Sequence, residues 1–158
     1  MKSLSRLLLL FTFAAFTTAT FAQTTPEVGS LGIRSTIGGQ SAIEVPYQLN
    51  EQLSIAPAIT INTLDGGTNT IGIAIIPRYY MSTVESLSTY FKGNIGFRNN
   101  SFDAGGSVTD FTLGAGYGAE YFFGSNFSLS ADANLGLRFG DSANNFFTLS
   151  TVSASVYF

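Results

Sequence analysis

The 158-residue sequence contains no cysteine and no histidine. Without cysteine, no disulfide can stabilise the chain. Without histidine, the chain cannot build a Ser-His-Asp triad or a histidine acid–base pair, and it lacks a principal ligand of zinc and copper. No other catalytic or metal-ligating set stands out. We therefore expect a protein that is not an enzyme, with no catalytic residues, no metal site and no cofactor.

Charged residues are also scarce, at 11% of the sequence, whereas a soluble domain contains about 25%. The net charge is −3, which provides no basic surface for nucleic acid. Tryptophan is absent, but phenylalanine occurs 15 times and glycine 17 times. The composition is thus short of the residues that normally face water.

The N-terminal segment 1–22 is a predicted secretory signal peptide. It has a positive start at Lys2 and Arg6, an apolar run at 7–16 and a small-x-small cleavage site, TFA, at its end. An uncleaved anchor is the alternative, but a spanning helix needs roughly 20 apolar residues. We expect cleavage to leave residues 23–158, which carry five Lys and Arg against ten Asp and Glu, a net charge of −5.

The remaining chain alternates apolar and polar residues with a period of two, which is typical of β-strands. Clusters such as GGQ, NEQ, TLDGGT, STVES and GSN interrupt the alternation and have the composition of turns. The pattern predicts an all-β domain of eight antiparallel strands, near residues 29–37, 41–49, 53–62, 69–81, 87–98, 108–123, 127–139 and 146–158.

Each predicted strand has an apolar face and a second face of small, polar and charged residues. In a narrow barrel the second face lines the lumen, where a charge is costly unless it is paired. We therefore expect a structural ion-pair network in the lumen, and we prefer it to a catalytic pair of Glu120 and Asp132. Its members are Arg34, Glu44, Arg78, Lys92, Arg98, Glu120, Asp132 and Arg138.

Alternation alone does not decide which face lies outside, because a soluble lipocalin-like barrel and a membrane barrel have opposite arrangements. Three features favour the membrane barrel. The polar face consists mostly of small residues, as a narrow lumen requires, and most strands reach the nine residues that span a bilayer. Aromatic residues also collect at the strand ends, as in two interfacial girdles: Tyr47, Tyr79, Tyr121, Phe123 and Phe127 at one end, and Phe97, Phe111 and Phe139 at the other.

Two local features interrupt the pattern. Pro46, Pro57 and Pro77 lie inside predicted strands, where proline removes a ladder hydrogen bond, so we expect a bulge or an unpaired rim position at each. The alternation also changes phase near Phe147 and Leu149, which indicates a bulge in the last strand.

Taken together, these segments resemble the small outer-membrane β-barrel family of Gram-negative bacteria, the OmpA-type and OmpX-type eight-stranded barrels. The resemblance rests on YQLNEQLSIAPAITI, IIPRYYM, the hairpin GAGYGAEYFFGSNFSLSADANLGLRFG and the terminal SVYF. It implies a transmembrane up-and-down barrel in the cell envelope, at the bacterial outer membrane. It also implies that the last strand is the signal for the barrel-assembly machinery, through Val152, Ala154, Val156 and Phe158.

The expected function is a structural or interaction role, with a lumen plugged by the ion-pair network. Expected partners are outer-membrane lipid and lipopolysaccharide, with the assembly machinery during insertion and no nucleic acid; we expect a monomer. Asp65, Asp103 and Asp141 place one acid in each of three loops, either as solvated tips or as weak divalent-cation contacts with lipopolysaccharide. Two alternatives remain: a narrow porin-like or OmpW-like channel for small or apolar solutes, and a secreted soluble lipocalin-like barrel.

Overall fold

The computed structural model describes residues 25–38, 41–63, 67–103, 105–141 and 144–158, apart from the side chains of 38 and 82–84. Its regular structure within these ranges is entirely β-strand. The strands are β1 (Gly32–Gly38), β2 (Ile43–Glu44), β3 (Tyr47–Gln48), β4 (Leu53–Asn62), β5 (Thr68–Val84), β6 (Leu87–Phe102), β7 (Ser107–Phe122), β8 (Phe127–Gly140) and β9 (Asn145–Tyr157). In the described part of the chain, no helix has the length and apolarity to cross a membrane.

The nine strands form one closed sheet in which every pairing is antiparallel. β1 pairs with β9 on one side and with β2 on the other, while β2 and β3 both pair with β4. β2 and β3 are therefore two pieces of one wall strand. The prediction of an eight-stranded up-and-down barrel is confirmed.

The barrel has two distinct ends. At the terminal end, Leu31 and Phe158 exchange backbone hydrogen bonds of 3.2 and 2.9 Å. Short turns join the other strands there, and one of them is closed by the side chain of Asn50, which accepts from the backbone of Gln52 and Leu53. The loop end carries the connections between β1 and β2, β4 and β5, β6 and β7, and β8 and β9. The turn predicted over STVES is shorter than expected, because β5 and β6 continue to Val84 and Leu87.

The two faces of the wall differ as the alternation predicts. Large apolar side chains lie on the outside and remain exposed, such as Ile73 at 60%. Inside, charged and hydroxyl side chains are fully buried, and Arg34 and Glu120 are both 0% exposed. The protein thus has a polar core within an apolar wall, the reverse of the arrangement in a soluble domain.

The expectation of a bulge or an unpaired position at each proline is met only in its second form: no register shift falls at a proline, whereas Pro46 lies outside the paired strands and Pro77 is skipped in the pairing of β5 with β6. Pro46 separates β2 from β3, but the ladder continues around it: its carbonyl accepts from the backbone N–H of Gly32 at 2.9 Å, and Val45 donates to Pro57 at 2.9 Å. Pro57 and Pro77 lie within β4 and β5. A side chain at Gly93 would lie 3.1 Å from the ring of Pro77, so this glycine leaves room for the proline.

The bulge predicted near Phe147 and Leu149 is also wrong. β9 pairs with β8 in one continuous register, from Val156 opposite Phe127 to Asn145 opposite Arg138. The register shift near the closing seam lies instead in β1, between Thr36 and Gly38. Because β9 is regular, Phe147 and Leu149 point into the lumen and account for the change of phase.

Candidate functional site

The carboxylate of Glu120 on β7 is the centre of a buried polar cluster near the terminal end. It accepts from Nη2 of Arg34 at 3.2 Å to both oxygens, and from Nη1 of Arg78 at 3.4 Å. The hydroxyls of Tyr80, Tyr157 and Ser128 donate to the same carboxylate at 2.9, 2.8 and 2.5 Å. Six donated hydrogen bonds therefore surround one buried charge.

Arg34 connects this carboxylate to the strands around the closing seam. Its Nη1 donates to Glu44 at 3.2 Å, its Nε donates to Ser155 at 2.8 Å, and its Nη2 donates to Tyr157 at 2.7 Å. Arg78 lies 3.6 Å from the same oxygen of Glu44. Two arginines and two glutamates thus form a compact, charge-balanced group across the barrel, which we call the Glu120 cluster (Arg34, Glu44, Arg78 and Glu120).

A second group lies one level towards the loop end, around Asp132 on β8. Its carboxylate pairs with Nζ of Lys92 at 2.7 Å. It also accepts from Thr151 at 2.5 Å, from Asn134 at 2.6 Å and from the hydroxyl of Tyr90 at 2.9 Å. The guanidinium of Arg78 lies 4.6 Å from the centre of the Tyr90 ring, so this tyrosine joins the two groups.

The two remaining cations of the expected network, Arg98 and Arg138, lie near the loop end and are not part of either group. Arg98 is opposite Asp110 in the ladder and interacts electrostatically with both Asp110 and Arg138. The guanidinium of Arg138 lies 5.5 Å from the ring centre of Phe147.

The expected network omitted several polar side chains of the lumen, among them Asp110, Tyr90 and Tyr157. Asp110 is 1% exposed and lies in β7 on the same face as Glu120. Asp110 and Glu120 are an even number of residues apart in the predicted strand 108–123, so the alternation alone assigns Asp110 to the lumen. The two tyrosines also have inward parity, but their hydroxyl partners depend on how the strands are aligned.

Above the Asp132 group the lumen contains a cavity of about 110 Å³, which we call the chamber. Lys92 and Thr151 lie at its lower end, and Arg98 lies at its upper end. The chamber is open because small residues of three strands face it. Its lining includes Ala58, Gly72, Ala74, Gly114, Phe147 and Leu149.

Glycines in the lumen provide space for specific neighbours. A side chain on Gly118 would approach Asp132 at 2.6 Å and the Tyr90 ring at 2.8 Å, and one on Gly136 would overlap the Phe147 ring. The ring accommodated at Gly118 is therefore that of Tyr90.

Aromatic side chains on the outer wall lie in two groups. At the loop end, Phe111 packs between Phe97 and Phe139, with its ring centre 5.1 and 4.9 Å from theirs. At the terminal end, Phe123 contacts Tyr121 and Phe127 at 4.8 and 5.6 Å. Tyr47 and Tyr79 are exposed near the same end, where the hydroxyl of Tyr79 donates to Gln52 at 3.3 Å.

The residues expected to form the assembly signal lie along the outer face of β9. Val152, Val156 and Phe158 are exposed, and Ala154 is half-buried. Tyr157, between two of them, points inward. β9 therefore contributes to the outer wall, and its Tyr157 donates a hydrogen bond to Glu120 in the lumen.

No protein-family model matches the chain, and no curated protein matches it. Among solved structures, it is similar to the N-terminal β-barrel domain of OprF from Pseudomonas aeruginosa, with 18% identity and a TM-score of 0.63 over 82% of this chain and 98% of that one. It is also similar to Neisserial surface protein A (NspA), with 16% identity and a TM-score of 0.56 over 81% and 90%. At these identities the likeness concerns the fold. The chain has the fold of the small eight-stranded outer-membrane β-barrels.

Proposed function

We propose that the protein is a non-enzymatic barrel of the bacterial outer membrane, with a structural or interaction role and a lumen closed by the Glu120 cluster. Residues 1–22 would direct export and be removed, leaving the barrel of residues 23–158. The absence of histidine and cysteine from the sequence supports the non-enzymatic role. The apolar outer wall with its two aromatic groups supports a membrane location.

The Glu120 cluster is the main observation that supports a closed lumen. Its four charged side chains are at most 3% exposed, and together they connect strands on opposite sides of the barrel. An eight-stranded barrel has an interior just wide enough for side chains to fill. An ion crossing this level would have to separate Arg34 from Glu120, and each of the two charges would then lose one of its buried partners.

Single-channel recording in planar bilayers tests the closed lumen. We expect no reproducible unitary conductance from the protein purified out of membranes. The double variant Arg34→Ser with Glu120→Ser removes one cation and one anion together, so that the pair leaves no lone charge. It should conduct if the cluster is the barrier. Heat-modifiable gel mobility would verify that the variant forms a barrel.

The alternative is a narrow porin-like or OmpW-like channel for small or apolar solutes. The chamber favours it, because about 110 Å³ of the lumen is open above the cluster. Reproducible unitary steps from the unmodified protein would support the channel and overturn the closed lumen.

A secreted soluble lipocalin-like barrel is the second alternative. The exposed apolar side chains outside and the buried charges inside disfavour it, because a soluble barrel would reverse the two faces. Carbonate washing of membrane fractions tests the location. Recovery in the soluble fraction would overturn the membrane proposal.

The proposed partners are outer-membrane lipid and lipopolysaccharide, and the barrel-assembly machinery during insertion. Asp103 and Asp141 are exposed at the loop end, where a divalent cation could connect them to lipid phosphate; Asp65 lies outside the described residues. We propose that the outer face of β9 carries the assembly signal and that the protein is monomeric.

A further inference from the structure

The chamber has an apolar wall that leads from the Asp132 group to the arginines of the loop end. Along β9, Thr151 contacts Asp132, Leu149 and Phe147 follow along the lining, and the guanidinium of Arg138 lies over the Phe147 ring. Small residues such as Ala74 and Gly114 form other parts of the lining. An apolar surface therefore ends beside a cationic group.

The charges of the interior are not balanced at this end. Arg34 and Arg78 are matched by Glu44 and Glu120, and Lys92 is matched by Asp132. At the loop end, two arginines face one interior carboxylate, that of Asp110. The described interior thus has five cations and four acids, and the excess positive charge lies at the loop end of the chamber.

Other groups near this end do not cancel the excess within the lumen. Asp110 attracts Arg98, but it is the only interior acid in the described residues at this level. The carboxylate of Asp141 is exposed and accepts from the backbone N–H of Thr109 at 3.0 Å. Among the described residues, no group accepts a hydrogen bond from the buried Nε of Arg138.

We infer that the chamber binds a small amphipathic carboxylate. Its carboxylate would pair with Arg98 and Arg138, which offer the planar donor geometry that carboxylates favour. Its apolar part would contact Phe147 and Leu149. One bound monoanion would balance the interior charge, whereas a neutral or cationic solute of the same shape would not.

The volume limits the size of this ligand. A cavity of 150 Å³ lined by apolar residues binds benzene, and the chamber measures about 110 Å³. A short-chain acid such as butanoate is therefore a suitable probe. Larger acids would require part of the molecule to extend past Arg98.

NMR titration with butanoate tests the inference. The protein is expressed as the full chain with labelled methyl groups and is purified from membranes in detergent. We expect saturable shifts of the Leu149 and Ala58 methyls, which line the chamber. Butan-1-ol and butylamine should not produce them. The methyls of Leu137 lie on the outer wall and report partitioning of butanoate into the micelle, so their shifts should not saturate. The double variant Arg98→Gln with Arg138→Gln should weaken binding by at least about tenfold, because the loss of even one charge-assisted hydrogen bond has that effect.

A second pair of variants separates the chamber from the charges. Leu149→Phe fills the chamber and should abolish the saturable shift of the Ala58 methyl, which remains as the reporter in this variant. Leu137→Phe adds the same bulk to the outer wall and should leave the Ala58 and Leu149 shifts unchanged. Absence of saturable shifts, equal shifts with butan-1-ol, or binding that survives Leu149→Phe would overturn the inference. Channel conductance is measured in a separate experiment. If the chamber binds no butanoate and the barrel does not conduct, this inference is overturned but the proposed function is not.

Discussion

Arg34 and Glu120 are separated by 86 residues in the chain and meet at 3.2 Å inside the barrel, where one Nη atom contacts both carboxylate oxygens. Arg34 belongs to β1 and Glu120 to β7, two strands that are not neighbours in the sheet. The contact therefore crosses the lumen, and it exists only because the sheet closes. Closure makes two charges that would be costly alone into a compensated pair.

Glu120→Gln should destabilise the barrel by about 3–5 kcal/mol, the typical loss when one member of a buried ion pair is removed. The amide keeps the shape of the side chain but leaves Arg34 and Arg78 with only Glu44 to balance them. Urea unfolding in lipid vesicles, followed by circular dichroism, measures the change. Glu51→Gln, at an exposed turn residue, is the control. Equal unfolding midpoints for the two variants would contradict the structural role of the cluster.

Ile73→Lys should cost about 2–4 kcal/mol, because a lysine on the lipid face near the middle of the bilayer is unfavourable by that amount. Ile73 is 60% exposed on the outer wall. Ala74→Ser, on the inner face one residue later, should have little effect. The same unfolding assay compares them. Equal tolerance at both positions would mean that the apolar face does not contact lipid.

Gly118→Ala should destabilise the barrel by about 1–3 kcal/mol, the usual cost of overpacking. The new methyl group would lie 2.6 Å from a backbone oxygen and from Asp132. Gly72→Ala is the matched control, since its nearest neighbour would be 3.4 Å away. If Gly72→Ala destabilises the barrel as much as Gly118→Ala does, the loss comes from replacing any glycine in a strand. The lack of space beside Asp132 would then not explain it.

Deletion of Phe158 should reduce insertion of the barrel, as measured by heat-modifiable gel mobility of membrane fractions. The deletion removes the aromatic side chain and also both backbone hydrogen bonds to Leu31. Phe158→Ala keeps these bonds, so it separates the side chain from the closing seam. If the side chain is the signal, the two variants should be similarly defective. Normal mobility in both would exclude a role in assembly.

The period-two alternation predicted most of the wall correctly. A strand buries one face and exposes the other, so the parity of a residue is enough to assign Ile73 outward and Glu120 inward. The same rule explains the error in β9. The apolar character of Phe147 and Leu149 predicts a loss of phase, but both residues keep the inward parity of Thr151 and line a cavity.

The partners inside the lumen could not be predicted in the same way. Parity assigns Arg98 and Arg138 to the lumen with the other cations, but only the ladder register fixes the level of each side chain. These two arginines lie near the loop end, where they are not part of the Glu120 cluster. The effect of Pro46 on the sheet could not be predicted either. It depends on which backbone groups of the neighbouring strands remain available for hydrogen bonds.

The sequence by itself determined the class of fold, the number of wall strands and the face of nearly every residue, because these follow from local alternation and turn composition. Only the tertiary structure decided that Arg34 pairs with Glu120, that Asp132 pairs with Lys92, and that a chamber lies beside Leu149. The physical reason is closure: the stagger between strands determines which inward side chains share one level of the lumen, and no local pattern records that stagger.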